Sequence, residues 1–217
     1  MICKQVRLAA FFLFAALAIQ HVASASLVTV LNPSFELPDQ ANGDSTSAIT
    51  SWVHTAGSSG VFDPNGQITP THLNQVAYVN AGAVISQVLT ATLDANTLYT
   101  LLVDVGDRID TTFGGYVINL YAGTTLLASD PGLLTPDGGF LTSTIVYSSL
   151  LADPLDIGEA LRIELRDGSA SGTQTNFDNV RLDATVIPEL SSAAIWSVLA
   201  LTVGAGAKRR WRKAALK

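Results

Sequence analysis

The chain of 217 residues contains a single cysteine, Cys3, which lies ahead of its first apolar run. A lone cysteine excludes a disulfide framework. Because Cys3 lies in a segment that we expect to be removed, the mature protein is also expected to lack a thiol nucleophile and a Cys-ligated zinc site. Stability must therefore come from burial of a core or from a hard metal ion.

Lysine is absent between residues 26 and 187. In that segment 17 Asp and Glu residues stand against four arginines (Arg108, Arg162, Arg166 and Arg181), a net charge of −13. Because nucleic-acid binding depends on basic side chains that neutralise phosphates, this composition argues against a nucleic-acid partner. A cation is a more natural partner for such a segment, since hard cations take oxygen ligands.

The first 25 residues have the organisation of a secretory signal peptide. Lys4 and Arg7 precede an apolar core at 8–19, and Ala-Ser-Ala at 23–25 has the small-x-small form of a cleavage site. An uncleaved anchor is the alternative, but the core is shorter than the roughly 18 residues that span a bilayer. We predict export and a mature chain that begins at Ser26.

The carboxyl-terminal segment has a second apolar run, the 18 uncharged residues 190–207. This length approaches the minimum for a transmembrane helix. Lys208, Arg209 and Arg210 follow at once, within a basic tail at 208–217. Since basic flanks stay in the cytoplasm, the tail is predicted to be cytoplasmic and the domain before Pro188 to lie outside.

The order of features over 186–217 resembles the PEP-CTERM sorting signal of bacteria. Pro188 and Glu189 are followed by the apolar run and then the basic tail, with Leu190 where a second proline is usual. The resemblance implies that an exosortase removes the tail and passes the protein to the cell surface or extracellular matrix. A plain membrane anchor is the alternative, and composition does not separate the two.

Residues 26–185 are short apolar or alternating runs broken by Gly, Pro, Asn and Asp, which predicts an all-β antiparallel sandwich, a jelly roll. In the run from Leu98, Tyr99, Leu101 and Val103 alternate with more polar positions, so one face is expected to be buried. Eight strands are predicted, at 27–31, 75–80, 84–89, 98–105, 116–122, 141–147, 161–166 and 177–183.

Two stretches at opposite ends of the domain carry candidate functional carboxylates. Asp178 has the same parity as Val180 and Leu182, which predicts that it points to the apolar side, where a carboxylate needs a partner or a metal. First and last strands are often neighbours in a jelly roll, so Glu36 is expected near Asp178, and the two would suit calcium. The alternative is that Asp178 caps a turn or pairs with Arg181 or Arg108.

Other candidates have weaker support from the sequence. His54 and His72 lack a third ligand at useful spacing and are interpreted as loop residues. The aspartates at 104, 107 and 110 suit either a second cation or, as we favour, a solvated loop. Four aromatic residues would suit a sugar-stacking platform, although core positions are commoner for them: Trp52, Tyr78, Tyr116 and Tyr121.

The segments at 32–36 and 176–182 resemble those that flank a structural calcium in galactose-binding-like carbohydrate-binding modules. A fuller set, which covers nearly the whole domain, resembles the calcium-dependent Stig cyclases of hapalindole-producing cyanobacteria. These segments are NPSFE at 32–36, SW at 51–52, GVFDP at 60–64, ISQVL at 85–89, YTL at 99–101, VGDR at 105–108 and QTNFDNVRL at 174–182.

The cyclase resemblance implies that Asp178 acts as an acid on a prenylated indole, with Tyr78 and either Phe113 or Tyr116 lining the pocket. The sorting signal instead favours a surface protein. We interpret the chain as an exported, calcium-binding β-sandwich that acts as a carbohydrate-binding or extracellular-matrix module. The alternatives are a Stig-type cyclase or lyase that uses Asp178, and a purely structural matrix protein. A cyclase needs a closed apolar pocket around Asp178, whereas a binding module needs an open polar and aromatic face.

Overall fold

A computed structural model describes residues 25–169 and 171–188. These residues fall almost wholly within one compact unit, Ala23–Ile187. The predicted signal peptide up to residue 24, Glu189, the apolar run and the basic tail lie outside the described residues. Within the described ranges no helix is long and apolar enough to cross a membrane.

The described residues form twelve β-strands and one short 3-10 helix, Ser149–Leu151. The strands are β1 Ala25–Val28, β2 Ser45–Thr46, β3 Val53–Ala56, β4 Ser59–Phe62, β5 Val76–Asn80, β6 Val84–Thr92, β7 Thr97–Gly106, β8 Tyr116–Ala122, β9 Thr125–Asp130, β10 Phe140–Ser148, β11 Ala160–Asp167 and β12 Gln174–Val186.

The strands build two antiparallel sheets. The first has seven strands in the order β10-β7-β12-β5-β4-β2, with β1 also paired to β12, and the second has five in the order β3-β6-β11-β8-β9. Ala25 of β1 lies opposite Thr185 of β12, which confirms that the first and last strands are neighbours. The predicted antiparallel β-sandwich is therefore confirmed, and each of the eight predicted strands overlaps an observed one.

Four strands were not predicted, and each lacks a clear alternating pattern. β2 has only two residues, and all four residues of β3 are exposed. The short β4 is wholly buried, and β9 is an edge strand with little burial before Asp130. Alternation of apolar and polar residues is the sequence signal of a half-buried strand. Very short, wholly exposed or wholly buried strands do not show this alternation, so they could not be predicted from it.

The core lies between the two sheets, where alternate residues of the long strands meet. Tyr99, Leu101 and Val103 of β7 are buried, as the alternation in the sequence predicted. Ile163 and Leu165 of β11, in the second sheet, belong to the same apolar cluster. Burying a side chain of this size contributes about 1.5–3 kcal/mol. The core is therefore a source of stability that needs no disulfide.

A buried carboxylate ties the two sheets together at one edge. The Tyr116 hydroxyl of β8 donates a hydrogen bond to Asp130 Oδ2 of β9 at 2.6 Å, and Ser143 Oγ of β10 donates to the same oxygen at 2.5 Å. Burial, followed by the hydrogen bond to Asp130, raises the pKa of Tyr116 to about 12. The phenol therefore stays protonated and remains a donor.

Tyr116→Phe is expected to lower the free energy of unfolding by about 2 kcal/mol, because Asp130 loses a charge-assisted donor inside the protein. Leu134 N also loses its acceptor, the Tyr116 hydroxyl at 3.2 Å. Chemical denaturation of both proteins measures the change. Tyr121→Phe is the matched control, since that hydroxyl accepts one longer bond from Asn119, at 3.3 Å. Equal stability losses in the two variants would contradict the role given to Asp130.

Candidate functional site

A β-bulge at Asn179 reverses the direction predicted for Asp178. Asp178 lies opposite Asp104 of β7, whereas Arg181 lies opposite Leu102, so β12 carries one extra residue between them. Asn179 takes up the irregularity with a φ of 51°, a conformation that Asn adopts more readily than most residues. The predicted direction of the Asp178 side chain was wrong: Asp178 shares the outer face of the seven-stranded sheet with Asp104, although its side chain is 0% exposed.

Asp178 is buried by the loop between β4 and β5, residues 63–75. The Thr71 and His72 backbone N–H groups donate to Asp178 Oδ2 at 2.8 and 2.9 Å, and Thr71 Oγ1 donates to it at 3.0 Å. Asn179 N donates to Oδ1 at 2.6 Å. The carboxylate thus fastens the loop to the sheet. This role is closer to the turn cap considered from the sequence than to the ion pair with Arg181 or Arg108.

Burial raises the pKa of Asp178 to about 6, although the bonds from His72, Thr71 and Asn179 act in the opposite direction. A carboxyl group with such a pKa is able to donate a proton near neutral pH. Its complete burial, however, keeps it from any ligand while the loop stays in place.

Asp104 lies beside Asp178 on the neighbouring strand and forms the ion pair with Arg181 that was considered for Asp178. Arg181 Nη2 lies 3.3 Å from Asp104 Oδ1, and Thr142 Oγ1 donates to the same oxygen at 2.7 Å. Thr71 Oγ1, 2.7 Å from Asp104 Oδ2, joins the two aspartates. Sequence reasoning missed this partnership because Asp104 was grouped with Asp107 and Asp110 by spacing, whereas its strand position sets its neighbours.

Glu36 holds the other end of the same loop. Its Oε1 accepts hydrogen bonds from Asn74 N at 3.0 Å and Gln75 N at 2.8 Å. Glu36 and Asp178 therefore act on one stretch, residues 71–75, as two separate anchors. Both predicted residues are brought to this loop, but no hydrogen bond joins them in the part of the chain that the structure describes.

The two anchors do not fit a calcium ion shared between them. Calcium takes six to eight oxygen ligands, whereas these carboxylates face backbone N–H donors. Among residues 25–169 and 171–188 no group of three or more His, Cys, Asp or Glu is placed to hold a metal. Calcium binding stays a prediction.

Tyr78 lies on the same outer face as Asp178. It pairs with Asn176 of β12 on one side and Gly60 of β4 on the other. Its ring edge occupies the space where a Cβ of residue 60 would stand, with Cε1 and the hydroxyl oxygen 2.7 Å from that point. Asn176 is two residues from Asp178 along β12, so the two residues of the predicted catalytic pair share one face.

Asn176 is a further candidate functional residue. It belongs to the segment QTNFDNVRL at 174–182, but no role was predicted for it from the sequence. It is buried, and its Nδ2 donates to the Ala77 carbonyl at 3.2 Å, while its Oδ1 is buried without a hydrogen-bond partner. Gly106 pairs with it from β7. An unpaired buried acceptor is uncommon, and it marks this row of the sheet as a place to look for function.

A cavity of about 920 Å³ lies at the end of the same sheet, beside Asn80 and Gln174. Its wall includes Ile109 and Asp110, and most of its other residues offer amide or hydroxyl groups. These polar residues are Asn80, Thr111, Thr112, Ser171, Thr173 and Gln174. Asp178 does not line this cavity.

Arg108 organises one wall of the cavity without presenting free charge to it. Its Nε and Nη2 donate to the Asp110 carboxylate at 2.9 and 2.7 Å, and its Nη1 donates to Gln174 Oε1 at 2.9 Å. The hydrogen bonds from Arg108 hold the pKa of Asp110 below its usual range. Gln174 Nε2 in turn donates to Asn80 Oδ1 at 2.8 Å, and the guanidinium lies 4.5 Å from the centre of the Phe62 ring.

The remaining candidates from the sequence are structural. His72 lies in the loop at 63–75, as predicted, whereas His54 lies on β3. Each shares a 2.7 Å hydrogen bond with a serine, His54 with Ser59 and His72 with Ser34. The four aromatic residues form no common platform: Trp52 and Tyr116 are buried, and Arg162 lies 3.9 Å above the Tyr121 ring. The solvated loop predicted for the spaced aspartates is wrong for Asp104, which is buried on β7 and pairs with Arg181, whereas Asp110 is exposed and pairs with Arg108.

Several solved structures resemble this chain. A Stig cyclase from Fischerella sp. TAU, in complex with (3Z)-3-(1-methyl-2-pyrrolidinylidene)-3H-indole, is 26% identical, with 74% of this chain and 98% of that chain covered and a TM-score of 0.66. An apo form cyclase from Fischerella sp. is 27% identical, with 76% and 98% covered and a TM-score of 0.66. TmCBM61, solved with β-1,4-galactotriose, is 15% identical, with 72% and 98% covered and a TM-score of 0.46.

No curated protein matches the chain. The profile of the HpiC1-like family, described as HpiC1 cyclase, matches residues 26–183 and so includes β2–β11, Tyr78 and Asp178. The match takes in most of the chain and almost the whole sandwich. The chain belongs to the HpiC1-like family.

Proposed function

We propose that the protein is an exported, surface-sorted module, anchored in the membrane through residues 186–217 until an exosortase-type enzyme removes them, that binds a neutral polyhydroxylated ligand such as an oligosaccharide in the cavity beside Asn80 and Gln174. The observation that carries this proposal is the chemistry of the cavity wall, in which amides and hydroxyls predominate. An exosortase-type enzyme is the processing partner that the terminal segment suggests.

The cavity wall has the donors and acceptors that sugar hydroxyls require. A side-chain amide offers both kinds of group, and a hydroxyl does the same. Arg108 is already bonded to Asp110 and Gln174, so the wall does not present an isolated cation to an anion. Ile109 adds an apolar surface for a sugar ring face.

A cyclase or lyase that uses Asp178 is the second candidate. Family membership and the raised pKa of Asp178 favour it. On this hypothesis the carboxyl group would protonate a prenylated aromatic substrate held near Tyr78, and the substrate would reach it only after the loop at 63–75 withdrew. Three hydrogen bonds from Thr71 and His72 of the loop to Asp178 oppose that withdrawal, so the geometry supports the binding module better.

Glycan binding by the full chain in detergent tests the first candidate. On an array of neutral and uronate-bearing oligosaccharides we expect neutral ones to bind. For the best of them, Gln174→Ala should weaken binding about tenfold, a loss of about 1.4 kcal/mol, because a wall amide is removed and Arg108 is released. Calorimetric titration measures the change.

Asn42→Ala is the matched control, since it removes an exposed amide outside the cavity and should bind as the parent does. Thermal unfolding of both variants separates loss of binding from loss of folding. Binding of no neutral oligosaccharide, or equal affinity of the Gln174→Ala variant and the parent, would overturn the proposal. Conversion of a prenylated indole that Asp178→Asn abolishes would establish the cyclase instead.

A further inference from the structure

We infer that one end of the sandwich rests on a neutral lipid surface through a leucine-bearing loop, residues 149–158. This inference deepens the proposed membrane anchoring, rests on it, and concerns the chain that still carries its carboxyl-terminal segment. The loop carries Leu150, Leu151 and Leu155, which are 52%, 97% and 85% exposed. A single exposed leucine needs no explanation, but three within six residues form a local apolar projection.

The leucine-bearing loop lies where the chain leaves the domain. Ser149 Oγ, at the start of the loop, accepts a hydrogen bond from Thr97 N at 2.8 Å and donates to the Asp94 carbonyl at 2.7 Å. The turn at 94–97 is also bonded to the end of β12, because Ile187 N donates to the Asn96 carbonyl at 2.7 Å. The loop and residue 187 are thus fixed to one turn.

Both ends of the described chain lie at this end of the sandwich. Ala25 pairs with Thr185, and Val186 pairs with Thr97. Val186 is itself 60% exposed. Pro188 is followed, after one residue, by the uncharged run 190–207. A chain that enters a bilayer so soon after Ile187 would hold this end of the sandwich against the membrane surface. Because so few residues separate Ile187 from the apolar run, we take the lipid surface as the partner of the three leucines.

The charge of this end selects the kind of lipid. Residues 93–97, 149–160 and 183–188 contain no lysine, arginine or histidine but five acidic residues, Asp94, Asp153, Asp156, Glu159 and Asp183. Attraction of a protein to anionic lipid needs basic side chains near the surface. The partner is therefore a surface of neutral, zwitterionic headgroups, into which apolar side chains insert without electrostatic support.

The test uses the predicted mature chain, residues 26–217, which has no cysteine of its own, with one new cysteine, Leu151→Cys, labelled with the environment-sensitive fluorophore NBD. Reconstitution into phosphatidylcholine vesicles should raise the NBD emission severalfold, and spin-labelled lipid should quench it. Leu155→Cys serves as a second reporter. Leu133→Cys is the matched control, because this leucine is 81% exposed on the loop after β9, beyond Asp130, at the opposite end of the strands.

The outcomes distinguish this inference from the attachment on which it depends. Emission that rises at 151 and 155 but not at 133 supports it, and a smaller rise with phosphatidylglycerol in the vesicles supports the choice of neutral lipid. A chain that floats with the vesicles while labels at 151 and 155 behave like the label at 133 overturns the inference alone. A chain that does not associate with vesicles overturns the attachment and the inference together.

Discussion

Gly60→Ala is expected to lower the free energy of unfolding by about 3 kcal/mol or more, the upper range for forcing an extra carbon into a filled site. A Cβ at residue 60 would overlap the Thr46 carbonyl oxygen and would stand 2.7 Å from Tyr78 Cε1 and the Tyr78 hydroxyl. The first obstacle is backbone, so a rotamer change does not relieve it. β2 must therefore move away from β4, and the Tyr78 ring must shift as well.

Guanidinium unfolding of the parent and the variant measures this loss, and the near-ultraviolet circular dichroism of Tyr78 and its neighbours reports displacement of the ring. Gly139→Ala is the control, because a Cβ there meets no atom within 4 Å and both substitutions reduce the freedom of the unfolded chain alike. If the two variants were equally stable, the close approach of Tyr78 and Thr46 to Gly60 would be wrong.

The sequence was sufficient to predict the long strands and their buried faces. Tyr99, Leu101 and Val103 alternate with more polar residues, and burial of one face of a sheet leaves that period in the sequence. Asp178 was selected because an acidic residue within an apolar motif is costly without a partner, and Glu36 because first and last strands are often neighbours; the metal site predicted for the two stays a prediction. Both carboxylates do have partners, although these are N–H groups of one loop.

The direction of Asp178 could not be predicted, since it depends on one extra residue. In a regular strand, Asp178 would lie on the same face as Val180 and Leu182. The bulge at Asn179 places Asp178 and the residues before it on the opposite face from the one that this alternation predicts. The cover over Asp178 was equally hidden, because residues 63–75 have no period and Thr71 is brought to Asp178 across 107 positions of sequence. Asp104 was misjudged for the same reason, as its partner Arg181 is 77 residues away.

The cavity was also missed, and here the cause is its construction from separate turns. Asn80, the stretch at 109–112 and the stretch at 171–174 meet only once β5, β7 and β12 are paired. Arg108 was noted only as a possible partner of Asp178, whereas it bonds to Asp110 and Gln174. Amides and threonines in loops carry no periodic signal, so polar ligand sites of this kind become visible only in the folded chain.

Asp178→Asn is expected to change how stability depends on pH. Burial raises the pKa of Asp178 from its ordinary 3.8 to about 6 in the folded protein. A group whose pKa rises on folding contributes stability that is fully present below the unfolded value and is lost as the pH rises through the folded value. For a rise of this size the contribution lost is about 3 kcal/mol.

The parent should therefore lose about 3 kcal/mol relative to the Asp178→Asn variant between about pH 4 and pH 7, because asparagine does not titrate. Guanidinium unfolding of both proteins at several pH values measures the difference, in which contributions from other carboxylates cancel. Asp39→Asn, at an exposed carboxylate, controls for the charge removed. A difference that does not vary with pH would mean that the donors from Thr71, His72 and Asn179 keep Asp178 ionised throughout, and the physical basis for Asp178 as a proton donor near neutral pH would be lost with it.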